Sequence, residues 1–152
     1  MFRVSRRLDY GLQLMIALSQ DESNRSQATA ALSERLHIPL PFLHQIGRAL
    51  IQGGLIKATP GPHGGLRLNY AADRITLLQI VETLEGPVRV TPEPTGNGNG
   101  VASRVVWEDL QAKLTAYLSN ILLQDLATSP ESCANFTLPT RIFAPIRLSS
   151  PC

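Results

Sequence analysis

The feature that most constrains the fold is a glycine- and proline-rich loop, residues 60–65, set between two short apolar segments. These segments are residues 55–59 and 66–68. A loop of this composition between two strand-like runs predicts a β-hairpin. We therefore expect a small antiparallel wing in the first half of the chain.

Three segments with helical periodicity precede the hairpin, at about residues 5–19, 26–36 and 39–52. The side chains expected to face the core are Leu8, Leu12, Met15, Ile16, Leu18, Ala30, Ala31, Leu36, Leu43, Ile46, Leu50 and Ile51. The order helix, short helix, helix and hairpin predicts a mainly α fold of the winged helix-turn-helix class. In that class the third helix presents its polar first turn to the major groove of DNA.

The second half predicts two further helices and two irregular segments. Thr76 is a candidate N-cap for a helix over 77–84, which completes a winged-helix domain at 1–87. Residues 88–100 have the composition of a flexible loop. A long helix is expected from about 102 to 127, as the main part of a dimerisation element at 101–128. Residues 129–152 carry four prolines without periodicity, and we expect a disordered tail there.

The long helix has more apolar surface than a small domain needs, and packing against a second copy would bury it. We therefore expect a homodimer. The predicted dimerisation residues are Trp107, Leu110, Leu114, Tyr117, Leu118, Ile121 and Leu122.

Charge and composition narrow the class of protein. Residues 1–75 carry nine Lys/Arg against five Asp/Glu, whereas residues 76–152 carry five against seven, so the basic first half is suited to a polyanion. No apolar run reaches the length of a membrane-spanning helix, and the N-terminus lacks a signal-peptide pattern, which favours a cytoplasmic protein. The two cysteines, Cys133 and Cys152, have no metal-ligand spacing.

Several motifs together carry a resemblance to a known family. They are Asp9-Tyr10-Gly11-Leu12, residues 41–46, 54–56, 61–65, 75–77 and 85–87, and Trp107-Glu108-Asp109-Leu110. In this order, over about residues 1–127, the chain resembles the Rrf2 family of bacterial transcription regulators. The resemblance implies a homodimer with crossed long helices that binds a pseudo-palindromic DNA operator. A two-fold dimer of this kind spaces its recognition helices about 34 Å apart, one turn of the duplex.

The resemblance also implies which residues contact DNA. Pro41, Phe42, His44 and Gln45 occupy the base-reading positions, although some members carry an acid where this chain has His44. Gln45 is suited to pair with an adenine edge. The residues expected at the DNA backbone and in the wing are Arg3, Arg6, Arg7, Lys57, Gly61, His63, Gly64, Gly65 and Arg67. The family's wing often carries an arginine just before its Gly-Pro, and that position is Pro60 here.

The chain departs from the family at the cofactor. Many members hold an iron–sulfur cluster with three cysteines in the loop before the long helix, and residues 88–104 contain no cysteine. Arg104 lies where some members place a histidine ligand, and Asp9 is the residual match to an acidic ligand of nitric-oxide-sensing relatives. We therefore expect no metal and no cluster.

Three alternatives stay open beside a dimeric repressor. The first is a partner-binding module with weakened DNA readout, and the second is a cluster-dependent regulator that uses Cys133 or Cys152. The third, an enzyme, is disfavoured because no P-loop, paired carboxylates or Ser/His/Asp arrangement is present. The sequence leaves open the effector, the operator and the regulated genes.

Overall fold

The structure is a computed structural model, which describes residues 4–90 and 101–127, with side chains described from 103 onward in the second range. Arg3, most of the loop predicted at 88–100, and the predicted tail with Cys133 and Cys152 lie outside these residues. The elements in chain order are α1 Arg6–Ser19, α2 Thr29–Leu36, α3 Leu40–Gln52, β1 Ile56–Thr59, β2 Gly65–Leu68, a 3₁₀ turn Ala72–Arg74, α4 Leu77–Glu85, α5 Val101–Asn120 and α6 Leu123–Ala127. The predicted mainly α fold with one hairpin is confirmed. We call α1 to α4 with the hairpin the head.

Polar side chains define where the helices of the head begin. The Ser5 hydroxyl accepts a hydrogen bond from Leu8 N–H and so caps α1. Thr76 and Gln79 form a reciprocal capping box at the start of α4, which confirms the predicted N-cap. Each interaction satisfies backbone N–H groups that have no partner within the first turn.

The core lies where α1, α3 and α4 meet the inner face of the hairpin. The fully buried side chains are Leu14, Met15, Leu18, Leu32, Ile38, Leu43, Ile46, Leu50, Ile56, Ile75, Ile80 and Leu123. The prediction for α3 is confirmed at Leu43, Ile46 and Leu50, but it is wrong at Ile51, which is 39% exposed. Gly47 replaces it on the inner face, where the helix approaches Leu66.

The inner face predicted for α2 is wrong at two positions. Ala30 and Ala31 are exposed, and Leu32 is fully buried instead. The helix begins at Thr29 rather than Ser26 because Gln27 is paired with β2: Gln27 N–H donates to Leu66 O at 2.9 Å, and Leu66 N–H donates back at 2.8 Å. This pairing fixes the rotational setting of the short helix.

The long helix ends seven residues earlier than predicted. Residues 121 and 122 leave the helical path, and Leu122 forms a β-bridge with Thr76. Leu77 N–H donates to Ile121 O and Leu123 N–H donates to Ile75 O, both at 2.8 Å. A new helix, α6, then packs against α1. Backbone pairing with the start of α4 therefore replaces helical hydrogen bonds at this point.

Among the residues described, none of the helices combines the length and apolarity that crossing a bilayer requires.

Candidate nucleic-acid interface

The exposed edge of α3 carries polar side chains in its first three turns. Pro41, His44, Gln45 and Arg48 are all exposed on a helix whose opposite face is buried in the core. Arg48 follows His44 by four residues and Gln45 by three, so the three side chains share one helical face. His44 and Gln45 were predicted from the sequence, whereas Arg48 was missed, although the i+4 spacing was a usable signal.

Phe42 precedes Gln45 by three residues but, unlike His44, Gln45 and Arg48, is not exposed. Its ring is half-buried and meets the ring of Tyr10 edge-on, with centroids 5.5 Å apart and planes at 89°. This contact attaches the start of α3 to α1. Arg6 precedes Tyr10 by one helical turn and is exposed, as is Arg7. The second turn of α1, which carries Tyr10, thus lies beside the first turn of α3.

The hairpin places two cations directly opposite each other. In the antiparallel register Lys57 faces Arg67, and both side chains are exposed. Like charges at directly opposed positions destabilise a sheet. Within the described ranges neither forms an ion pair with an acidic residue. The outer face of the hairpin is therefore suited to a bound anion.

The loop of the hairpin depends on glycine at two positions in particular. A Cβ at Gly64 would lie 2.1 Å from the Thr59 carbonyl oxygen, and a Cβ at Gly65 would lie 2.0 Å from the Gln27 carbonyl oxygen. Gly61 has φ +105° with open space around it. His63 is exposed at the tip. The loop is thus compact at its base and accessible at its end.

Residues 24–27 run along the free edge of β2. The Asn24 side chain accepts a hydrogen bond from Leu68 N–H at 3.2 Å and donates to Leu68 O at 3.3 Å. Gln27 pairs with Leu66, as described above, and the Ser26 hydroxyl donates to Thr59 Oγ1 at 2.8 Å. The α1–α2 loop is therefore held against the hairpin by one β-bridge and by side-chain hydrogen bonds.

A recess of about 770 Å³ opens between this loop and the hairpin. Its lining includes Arg25, Ser26, His63 and Arg67. His63 and Arg67 were predicted from the sequence, whereas Arg25 was missed. No local signal identifies Arg25, since its position depends on pairing with a strand about forty residues further along.

The first half of α5 leaves an apolar surface uncovered. Val105, Val106, Trp107 and Leu110 are between 37% and 62% exposed. Of the predicted dimerisation residues, Leu114, Tyr117, Leu118 and Leu122 are half-buried, and Ile121 is buried. The available surface thus lies at the N-terminal half of the helix.

The described residues do not fit an iron–sulfur cluster. The Asp9 carboxylate accepts a hydrogen bond from the Gln13 amide at 3.0 Å, and Arg104 is paired with Glu108 at 3.1 Å. Across 4–90 and 101–127, no three His, Cys, Asp or Glu side chains are grouped as metal ligands. Thiolates, the usual ligands, are absent from the sequence before Cys133.

Gln111 of α5 holds residues 88–90, which follow α4 in the chain. Its side-chain oxygen accepts from Val90 N–H and its amide donates to Val88 O, both at 2.6 Å. The side chain thus pairs with the segment 88–90 as a neighbouring strand would.

Comparison with known proteins agrees with this architecture. Residues 4–129 match the family model described as "Rrf2: Iron-dependent Transcriptional regulator". The chain is 33% identical over 118 residues to the HTH-type transcriptional regulator IscR of Cereibacter sphaeroides, covering 73% of this chain and 76% of that protein. The structure of CymR (YrzC), the global cysteine regulator of B. subtilis, has a TM-score of 0.73 and 28% identity over 84% of this chain and 97% of its own. The IscR structure from T. potens has a TM-score of 0.68 and 25% identity, covering 86% and 94%. The chain therefore belongs to the Rrf2 family of DNA-binding, helix-turn-helix transcriptional regulators, which are not enzymes.

Proposed function

We propose that the protein is a homodimeric repressor that binds a two-fold symmetric DNA operator. The observation that carries this proposal is the exposed edge of α3, where His44, Gln45 and Arg48 share one face beside the cationic hairpin. A helix of this kind fits the major groove, and flanking cations fix its position on the phosphates. Since such a regulator acts on the bacterial chromosome, we place it in the cytoplasm.

The residues of the edge have different roles in this proposal. Gln45, whose amide both donates and accepts, reads an adenine edge, and His44 contacts a neighbouring base. Pro41 approaches the same groove from the first turn. Phe42 supports the set from behind, because its ring fixes α3 against Tyr10.

The exposed apolar surface of α5 supports the dimer. A patch that includes Trp107 and Leu110 is unfavourable in water, and packing against the same patch of a second copy removes it from solvent. The two-fold axis then sets the spacing of the two α3 helices. Binding across a promoter would exclude the polymerase, which is why we propose repression.

The regulator is proposed to act without an iron–sulfur cluster. The support is the chemistry of the chain: no cysteine precedes residue 133, and Arg104 is committed to an ion pair with Glu108. Anaerobic purification with iron analysis and a visible spectrum tests this. A coloured, iron-containing protein whose colour disappears on substitution of Cys133 or Cys152 would contradict it.

The DNA-binding proposal is tested by binding to genomic fragments, followed by quantitative binding to the selected operator. Gln45→Ala should weaken operator binding by about tenfold and relax preference at one base pair, because one bidentate contact is worth about 1–3 kcal/mol. Gln52→Ala is the matched control, since Gln52 is exposed on the same helix two turns further along. Equal affinity for operator and random duplex, together with stable capture of a protein partner, would instead favour a partner-binding module.

A reporter gene placed behind the selected operator tests repression. Deleting the regulator should raise expression. A fall in expression would identify an activator.

A further inference from the structure

We propose that the α1–α2 loop is an additional DNA-contacting element, in which Arg25 binds a backbone phosphate together with Arg67 of the hairpin. The inference deepens the proposed function and rests on it. It adds a segment that precedes the helix-turn-helix and adjoins the wing.

The position of Arg25 is set by hydrogen bonds on both sides of it. Asn24 pairs with Leu68 and Gln27 pairs with Leu66 on the edge of β2. Arg25 and Ser26 therefore both lie between these two points, opposite Arg67 of β2, and all three residues line the recess. Adjacent strands are about 4.8 Å apart, which is a suitable spacing for two guanidinium groups to share one phosphodiester group.

The register extends this pair into a row of cations. Lys57 lies opposite Arg67 on β1. Thr59, two residues after Lys57 and so on the same face of β1, lines the recess with Arg25 and Arg67. Three cations at neighbouring positions repel one another, and a polyanion removes that repulsion.

The N-terminus of α2 opens on the same recess. Its N-cap residue, Ala28, lines the recess. The methyl group of alanine cannot accept a hydrogen bond from the N–H groups of the first turn. Free N–H groups and the helix dipole both favour an anion at this end. Ser26 also lines the recess, and its hydroxyl donates to Thr59 Oγ1 of the hairpin. The recess thus combines cationic side chains with backbone donors.

The residues that line the recess include no Asp or Glu, although Asp21 lies near Arg25. Asp21 has a pKa below its ordinary value, first because the Ser23 hydroxyl donates to its carboxylate and to a smaller extent because of Arg25. Its carboxylate is used by backbone and side-chain donors of its own turn. Asp21 does not line the recess.

The shape of the recess favours duplex DNA over a small anion. It is wide and open to solvent, whereas small-molecule sites enclose most of their ligand. It also adjoins the hairpin, which follows directly after the recognition helix. We therefore commit to the phosphodiester backbone as the ligand.

The test is the salt dependence of binding to a mixed-sequence duplex of about 30 base pairs, three helical turns. For each phosphate that the protein no longer neutralises, the slope of log affinity against log salt falls by about 0.9. Arg25→Ala should lower the slope by about that amount. When salt rises from about 50 to 200 mM, the affinity of the wild type should therefore fall by a factor about 3.5 times larger than the affinity of the variant. Arg25→Lys should keep the wild-type slope, because it keeps the charge.

Arg74→Ala is the matched control, since Arg74 is exposed on the 3₁₀ turn that packs against α6 rather than beside the wing. It should keep the wild-type slope. If the two residues share a phosphate, the double variant Arg25→Ala/Arg67→Ala should lower the slope by less than the sum of the two single decreases.

The outcomes separate this inference from the proposed function. Selective operator binding with an unchanged slope for Arg25→Ala would overturn the inference and leave the function standing. Absence of DNA binding by the wild type would overturn both. Arg25-dependent binding of inorganic phosphate, with DNA binding unchanged, would identify a small-anion site and would also overturn the inference. A circular-dichroism melt confirms that each variant is folded.

Discussion

Gly65 is the first residue of β2 and lies against residues 27 and 28 of the α1–α2 loop. Gly65→Ala therefore tests directly whether this loop is paired with the hairpin. A Cβ at this position would lie 2.0 Å from the Gln27 carbonyl oxygen and 2.8 Å from Ala28 N. Both obstacles are backbone atoms, which cannot rotate away as a side chain can. Insertion of the methyl group therefore requires residues 27 and 28 to separate from β2.

The expected cost has two parts. The backbone at Gly65 has φ +157°, and strain from an L side chain in such a conformation is about 1–3 kcal/mol. Separation breaks the two hydrogen bonds between Gln27 and Leu66, which contribute about 1 kcal/mol each. We expect the free energy of unfolding to fall by about 3–5 kcal/mol.

Gly61→Ala is the control because it lies in the same loop, at φ +105°, and a Cβ added there would have no atom within 4 Å. It should cost about 1–2 kcal/mol, the backbone strain alone. Urea titration at one fixed protein concentration measures both variants. With a slope of about 2 kcal/mol per molar urea, their midpoints should differ by about 0.5–2 M. Equal losses for the two variants would refute the pairing of Gln27 with β2.

Three further predictions concern other parts of the molecule. Thr76→Ala removes the capping box of α4 and should lower the free energy of unfolding by about 1 kcal/mol in urea titration; no change would contradict the role of the cap. Leu110→Asp should convert the dimer to a monomer in sedimentation velocity, whereas Ala112→Asp, on the opposite side of α5, should leave it dimeric; a monomeric wild type would contradict the proposed interface. Because the pKa of Asp21 is lowered, its carboxylate stabilises the fold above the ordinary pKa, and this stability is lost as the pH falls through the lowered pKa. Asp21→Asn should therefore flatten the pH dependence of the free energy of unfolding in that acid range, and an unchanged profile would contradict this prediction.

The sequence was sufficient for the parts of the head that depend on local signals. Capping by Thr76, the periodicity of α3 and the Gly/Pro-rich turn all act within a few residues, and the observed elements follow them. The exposed positions of His44 and Gln45 follow from the same periodicity. These features required no knowledge of tertiary contacts.

The errors fall where a distant backbone pairing overrides the local pattern. The setting of α2 depends on Gln27 pairing with Leu66, and the end of α5 depends on Leu122 pairing with Thr76. An apolar row continues through Leu118 and Leu122, so periodicity alone extends the helix past its end. The position of Arg25 beside the hairpin was missed for the same reason, because it depends on the pairing of the neighbouring residues with β2.

Leu123 is fully buried in the core of the head, and α6 packs against α1. The core of the head is consequently built from two separate parts of the chain. The long helix α5 lies between α4 and α6, the helix that contributes Leu123 to this core. A fragment that stops after α4 would lack both Leu123 and the backbone bonds from Ile121 and Leu123 to the start of that helix. Truncation cannot therefore separate the proposed DNA binding from the proposed self-association, and single substitutions on the surface of α5 are the means to do so.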